Sequence, residues 1–155
     1  MNKGRRNVLQ QGAGFGVLSA LVAVGLVRPE DALAQDWKAA FETKSVADTM
    51  KALGGTPPAE SKDITITAPD IAENGAVVPV AVASAIPKTE SIAILIEKNP
   101  NTLAASFSIP AGTEPSVGTR VKMGQTSNVY AVVKADGKYY MTGKEIKVTL
   151  GGCGG

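Results

Sequence analysis

From Asp63 to Leu150 apolar and polar residues alternate with a period of two, interrupted every few residues by turn-forming sequence. That is the pattern of short, half-buried strands. Ile64-Thr65-Ile66-Thr67 is the first, ended by Pro69. Residues 77–83 form the second, with Val78, Val80 and Val82 on one face; Pro79 marks an edge position or a bulge, and Glu73-Asn74-Gly75 makes the turn before it. Residues 91–98 place Ile92, Ile94 and Ile96 on one face. Asn99-Pro100-Asn101 turns the chain, and Leu103, Ala105, Phe107 and Ile109 alternate on the return. Pro110, Gly112 and Pro115 mark a loop, and residues 120–123 are short and strand-like. Asp136-Gly137 is a hairpin signal between strands at 129–135 and 138–141. A last strand at 145–150 turns Ile146, Val148 and Leu150 inward.

Only residues 36–53 follow a different period. Trp37, Ala40, Phe41, Ala47, Met50 and Leu53 recur at spacings of three and four, which predicts one helix capped by Asp36 and stopped by Gly54-Gly55. Such a helix either packs on the edge of the domain or docks a partner subunit. The whole reads as a mainly β protein: an immunoglobulin-like antiparallel β-sandwich with one N-terminal helix and a flexible C-terminal arm. No internal repeat or heptad pattern is present, and nothing suggests a parallel α/β sheet.

The first 34 residues stand outside this pattern. Arg5-Arg6 precedes an apolar, glycine-broken run at 12–27, and Ala32-Leu33-Ala34 has the form of a cleavage site. This is the layout of a twin-arginine export signal, and it places the mature protein in the periplasm. Gly12, Gly14 and Gly16 lack the spacing and the preceding strand of a dinucleotide fingerprint. The domain division is then a signal peptide at 1–34, a helix-plus-sandwich domain at 35–150 and a Gly-Gly-Cys-Gly-Gly arm at 151–155. The full chain of 155 residues has 16 basic and 14 acidic residues. Cleavage removes Lys3, Arg5, Arg6 and Arg28 with Glu30 and Asp31, leaving 12 of each. The mature chain is neutral, so no charge argument favours nucleic acid or an anionic membrane.

Composition also narrows the chemistry. The chain has no histidine and one cysteine. Cys–His pairs, Ser–His–Asp triads, histidine metal sites and C-x-x-C redox pairs therefore cannot be built from it. No cofactor or metal is expected. Asp70 and Glu73 are the one close acidic pair, and their place beside a turn suits solvation rather than acid–base work.

There remains the tail, Gly151-Gly152-Cys153-Gly154-Gly155. Glycine lacks a Cβ and visits backbone conformations closed to other residues. Five residues span at most about 16–18 Å. An unperturbed thiol titrates near about 8.5, and this one has no neighbouring base in its own chain. Cys153 is thus accessible but not self-activated, a group to be acted on by other proteins. The side-chain-free glycines Gly151, Gly152, Gly154 and Gly155 would let it enter a narrow channel, and its sulfur could hold a persulfide or S-sulfo cargo.

The tail resembles that of the SoxY family, the sulfur-carrier subunits of the bacterial thiosulfate-oxidising (Sox) system. The resemblance extends through Pro69, Glu73-Asn74-Gly75 and Val78-Pro79-Val80, Glu97-Lys98-Asn99-Pro100 with Phe107, residues 119–124 and Ala135-Asp136-Gly137; Asn101 stands where proline is common in the family. It implies a heterodimer with a SoxZ-like subunit that has no export signal of its own. It also implies covalent attachment of cargo at Cys153. The cargo would be loaded by a c-type cytochrome, hydrolysed by a dimanganese thiosulfohydrolase and oxidised, where present, by a sulfane dehydrogenase. The expected function is a non-enzymatic covalent carrier of sulfur in periplasmic thiosulfate oxidation. Two alternatives are a periplasmic recognition sandwich with an incidental tail, and a carrier in which Gly155 forms a terminal thiocarboxylate. A self-acting thiol oxidoreductase would require turnover by the isolated chain, and none is expected.

Overall fold

The computed structural model describes residues 37–54 and 56–149. The proposed export signal, Asp36, Leu150 and the Gly-Gly-Cys-Gly-Gly arm lie outside the described residues. The elements are α1 (Trp37–Phe41), α2 (Val46–Ala52), β1 (Ala59–Glu60), β2 (Ile64–Thr67), β3 (Ile71–Ala72), β4 (Val78–Ser84), β5 (Thr89–Ile96), β6 (Leu103–Ser108), β7 (Ser116–Val121), β8 (Ser127–Ala135) and β9 (Lys138–Val148). They form two sheets. The larger runs β1-β9-β8-β5-β6, with β3 also paired to β9; the smaller runs β2-β4-β7. The sandwich is mainly antiparallel, but β1 and β3 each pair with β9 in parallel.

The alternating residues of both sheets meet between them. Val78, Val80 and Val82 of β4 face Ile92, Ile94 and Ile96 of β5 and Val129, Ala131 and Val133 of β8 in one buried cluster. At about 25 cal/mol per Å² of apolar surface removed from water, this cluster is the main favourable contribution to folding. Pro79 lies in the central strand of the small sheet, where a missing N–H would ordinarily break a ladder. The β2 ladder ends at Thr67↔Ala81, so β4 is locally an edge at Pro79. Asp136 and Gly137 adopt φ 49° and 73° and make the tight β8–β9 turn, with Ala135 opposite Lys138.

The helical segment differs from its expected form. It is two short helices, because Ser45 starts a new one. Its backbone is extended (φ −138°), its hydroxyl accepts from the Asp48 N–H at 3.1 Å, and it donates to Asp48 Oδ2 at 2.7 Å. This Ser-x-x-Asp cap stops the chain from continuing straight through. Both helices cover the outer face of the large sheet, where Ala40, Met50 and Leu53 pack on Ala93, Leu95, Leu103, Val132 and Tyr139. The molecule therefore has three layers, and β5 is buried on both faces.

Tyr139 ties the helical layer down. Its hydroxyl donates to the Leu53 carbonyl at 2.5 Å. Burial raises the phenol's pKa; Lys134 opposes this and Glu90 adds to it. The folded pKa lies above the unfolded value, so the stabilisation is full below pH about 10 and is lost as pH rises from there through the folded pKa. Tyr139→Phe is expected to cost about 1 kcal/mol at neutral pH. In chemical denaturation across pH 9–12, the wild type's stability advantage should shrink with rising pH. An advantage independent of pH would remove the hydroxyl from the account.

Candidate functional site

The last described strand leads straight to the cysteine-bearing tail, so the site is built from the contacts that hold its end. Three successive amides of β9 and the residue after it are each bonded. Lys147 N–H donates to the Asp70 carbonyl at 2.9 Å, Val148 N–H to Thr126 Oγ1 at 3.0 Å, and Thr149 N–H to the Ala72 carbonyl at 3.1 Å. Between them, β3 lies parallel to β9 with Ile71 opposite Lys147 and Ala72 opposite Val148. Amides on successive residues of a strand point to opposite sides. The strand end is therefore held from both flanks, by residues 70–72 on one side and Thr126 on the other.

The turn that carries β3 is itself fixed. Asn74 Oδ1 accepts from Ala76 N–H at 3.0 Å, an Asx turn, and the Asn74 carbonyl accepts from Val77 N–H at 3.3 Å. Gly75 is buried, and its carbonyl accepts from Met123 N–H at 2.7 Å. A Cβ on Gly75 would stand 2.4 Å from Met123 O and 2.8 Å from Val148 Cγ1. Glycine is thus required here by close approach of the Met123 backbone and the Val148 side chain.

Asp70, the first of the close acidic residues beside the turn, sits in an open ion pair. Asp70 faces Lys144 at 2.9 Å with its side chain 88% exposed, and Lys144 also donates to the Ala68 carbonyl at 2.6 Å. An ion pair this open contributes little to stability. Among the described residues no group of three or more Asp, Glu, His or Cys is placed to hold a metal ion. Cys153 and Gly151, Gly152, Gly154 and Gly155 lie outside the described residues, so the structure positions only their anchor. From Thr149 the cysteine is four residues on, a reach of at most about 13–14 Å. Sequence reasoning marks Glu73-Asn74-Gly75 as a turn and misses its use as a clamp. The only signal is a glycine placed shortly before a strand.

A family model described as "Sulfur oxidation protein SoxY" matches residues 49–153, most of the chain and through the tail cysteine. The chain belongs to the SoxY family. Among solved structures, the sulfur carrier protein SoxY from Chlorobium limicola f thiosulfatophilum is 42% identical, with a TM-score of 0.60, covering 65% of this chain and 92% of that one. No curated protein matches the chain. The SoxY match takes in both the β3 clamp and Gly75, so the anchor belongs to the part of the chain that the family shares.

Proposed function

We propose that this SoxY-family chain is a covalent carrier of sulfur intermediates, with Cys153 as the attachment point and Gly151, Gly152, Gly154 and Gly155 as the arm that presents it. The observation that supports this most is the pairing of a sole cysteine in a glycine tail with a root bonded at three consecutive amides, residues 147–149. The anchor is firm, and the Gly-Gly-Cys-Gly-Gly tail beyond it has one reactive side chain. The SoxY structure from Chlorobium limicola f thiosulfatophilum is described as a sulfur carrier, which supports the same role here.

The chemistry is supplied by partners. The thiolate of Cys153 bonds to the outer sulfur of thiosulfate, and the two electrons released pass to a c-type cytochrome, leaving Cys–S–S–SO₃⁻. A thiosulfohydrolase adds water, releases sulfate and two protons, and leaves the persulfide. A sulfane dehydrogenase, where present, oxidises that remaining sulfur while it stays attached. The chain forms a heterodimer with a SoxZ-like subunit and works in the periplasm after twin-arginine export. The carrier itself turns nothing over.

Incubation with thiosulfate and the full partner set, followed by trypsin, isolates the peptide after Lys147 that contains Cys153. The expected result is a sulfur adduct whose fragments map to Cys153. An unmodified peptide under conditions where thiosulfate is consumed would overturn the proposal.

A further inference from the structure

The end of β7 places two cations side by side with no acid to meet them. Arg120 and Lys122 are both exposed, and Val121 between them is turned into the core. Two strand residues apart, their backbones are separated by roughly 6–7 Å. The ion pairs among the described residues take Lys51, Lys88, Lys134 and Lys144, and neither of these two side chains. Arg120 is also the only arginine beyond residue 28.

Both line a cleft of about 390 Å³ between β6 and β7. Leu103, Ala104 and Ala105 form its apolar side, and no Asp or Glu lines it. Its end wall is fixed, because Asn99 Nδ2 donates to the Lys122 carbonyl at 2.7 Å and Asn99 Oδ1 accepts from Gly124 N–H at 3.4 Å. Glu97, the acid in that loop, is engaged elsewhere and accepts from Asn128 Nδ2 at 2.9 Å. Two like charges on the rim of a cleft with one apolar wall focus a positive field into it. A small oxyanion between them relieves their repulsion. A guanidinium offers such an anion two parallel N–H donors, and an ammonium meets it as a point charge.

The cleft also adjoins the anchor of the tail. Lys122 directly precedes Met123, whose carbonyl oxygen lies 2.4 Å from the point where Gly75 would carry a Cβ; Val148 Cγ1 lies 2.8 Å from the same point. Further along this segment, Thr126 Oγ1 accepts from Val148 N–H at 3.0 Å. Cys153, at most about 13–14 Å beyond Thr149, can bring a bound group to this wall.

We infer that this cleft binds a sulfonate group, –SO₃⁻, between Arg120 and Lys122. The choice of anion rests on the carrier reading, which supplies two sources of that group: free thiosulfate, and the cargo Cys–S–S–SO₃⁻ at the end of the chain's own arm. In the second case the body of the carrier gives its loaded arm a resting place.

The test uses the full chain, labelled with ¹⁵N, as wild type, Arg120→Gln, Lys122→Gln and Lys138→Gln, the last at the opposite end of β9. All three side chains are exposed, so each variant should melt like wild type. In one arm thiosulfate is titrated against chloride at equal ionic strength. The amides of residues 120–122 and the Arg120 Nε–H should shift and saturate. The dissociation constant should rise about tenfold or more in Arg120→Gln and in Lys122→Gln, and stay unchanged in Lys138→Gln. In the other arm the Cys153 thiolate attacks tetrathionate, forming Cys–S–S–SO₃⁻ and expelling thiosulfate, which is dialysed away. The same amides should move in the loaded chain with no anion added, and not in loaded Arg120→Gln. A response in the first arm alone makes the free anion the occupant, and a response to loading makes it the cargo; either supports the site. Silence in both arms, or shifts that chloride reproduces, overturns the inference. If no adduct maps to Cys153 with the full partner set, the carrier reading falls while the thiosulfate titration still decides the cleft. An adduct at Cys153 with a silent cleft leaves the carrier standing and the inference overturned.

Discussion

Cys153→Ala is expected to abolish cargo attachment entirely rather than reduce it. The chain has no second thiol, so no other side chain in it can form a sulfur–sulfur bond. Intact mass after reaction with thiosulfate and the partner set should show no adduct, and sulfate release by the reconstituted system should fall to the level measured without this chain. Melting should stay at the wild-type value, because the last described backbone bond that closes the fold is made at Thr149. Cys153→Ser gives the sharper control. A hydroxyl keeps size and polarity but cannot form a sulfur–sulfur bond, so it should be as inactive as alanine. If Cys153→Ser still carries sulfur, with the added mass on Gly155, the thiocarboxylate alternative replaces the thiol carrier.

The second large effect is expected at Gly75. An alanine methyl there would sit 2.4 Å from the Met123 carbonyl oxygen, and the adjacent Met123 N–H to Gly75 C=O bond of 2.7 Å keeps the two backbones from separating. Its other neighbour, Val148 Cγ1 at 2.8 Å, belongs to the strand that leads to the tail. Relief requires moving a backbone, so Gly75→Ala should cost roughly 2–4 kcal/mol, with Gly75→Val worse. For a domain of this size that lowers the melting midpoint by roughly 10 °C. The loss should be local at first, with exchange at the Lys147 and Thr149 amides speeding up more than exchange along β5. An unchanged midpoint for Gly75→Ala would show that the turn yields freely and that the strand end is not held there.

The strands of the sandwich are legible because one face of each is buried and the turns are written in Asn, Asp, Gly and Pro. The errors come from places where a second layer or an unlikely partner changes the rule. Ile92 to Ile96 reads as a one-faced strand, but Ala93 and Leu95 are also buried, under the helices, and alternation cannot register a strand covered on both sides. Thr142-Gly143-Lys144 reads as a break between two strands and is the middle of β9. Gly143 lies opposite Tyr130, whose ring occupies the space where a Cβ would be, with Cδ1 2.8 Å away. The predicted single helix is split by a cap at Ser45 that the apolar spacing runs across. Strand β3 has two residues, too few for any period to show.

The candidate site divides in the same way. The thiol is legible because its composition is unlike the rest of the chain. Its anchor is not, because Lys147 and Thr149 bond through backbone groups that every residue but proline provides. Gly75 alone leaves a trace in the residue types. The near-balance of 16 basic and 14 acidic residues and the missing histidines narrow the class of function but say nothing of where partners sit.

The way β9 is fastened has a mechanical consequence. A pull applied along the axis of β9 meets ladder hydrogen bonds that lie across that axis. The bonds from Lys147, Val148 and Thr149, and the β8 ladder behind them, are then loaded sideways and together rather than opened one at a time. A strand tethered this way meets a pull along its axis in shear and not in peeling, so the end of β9 bears such a load without unravelling the sheet.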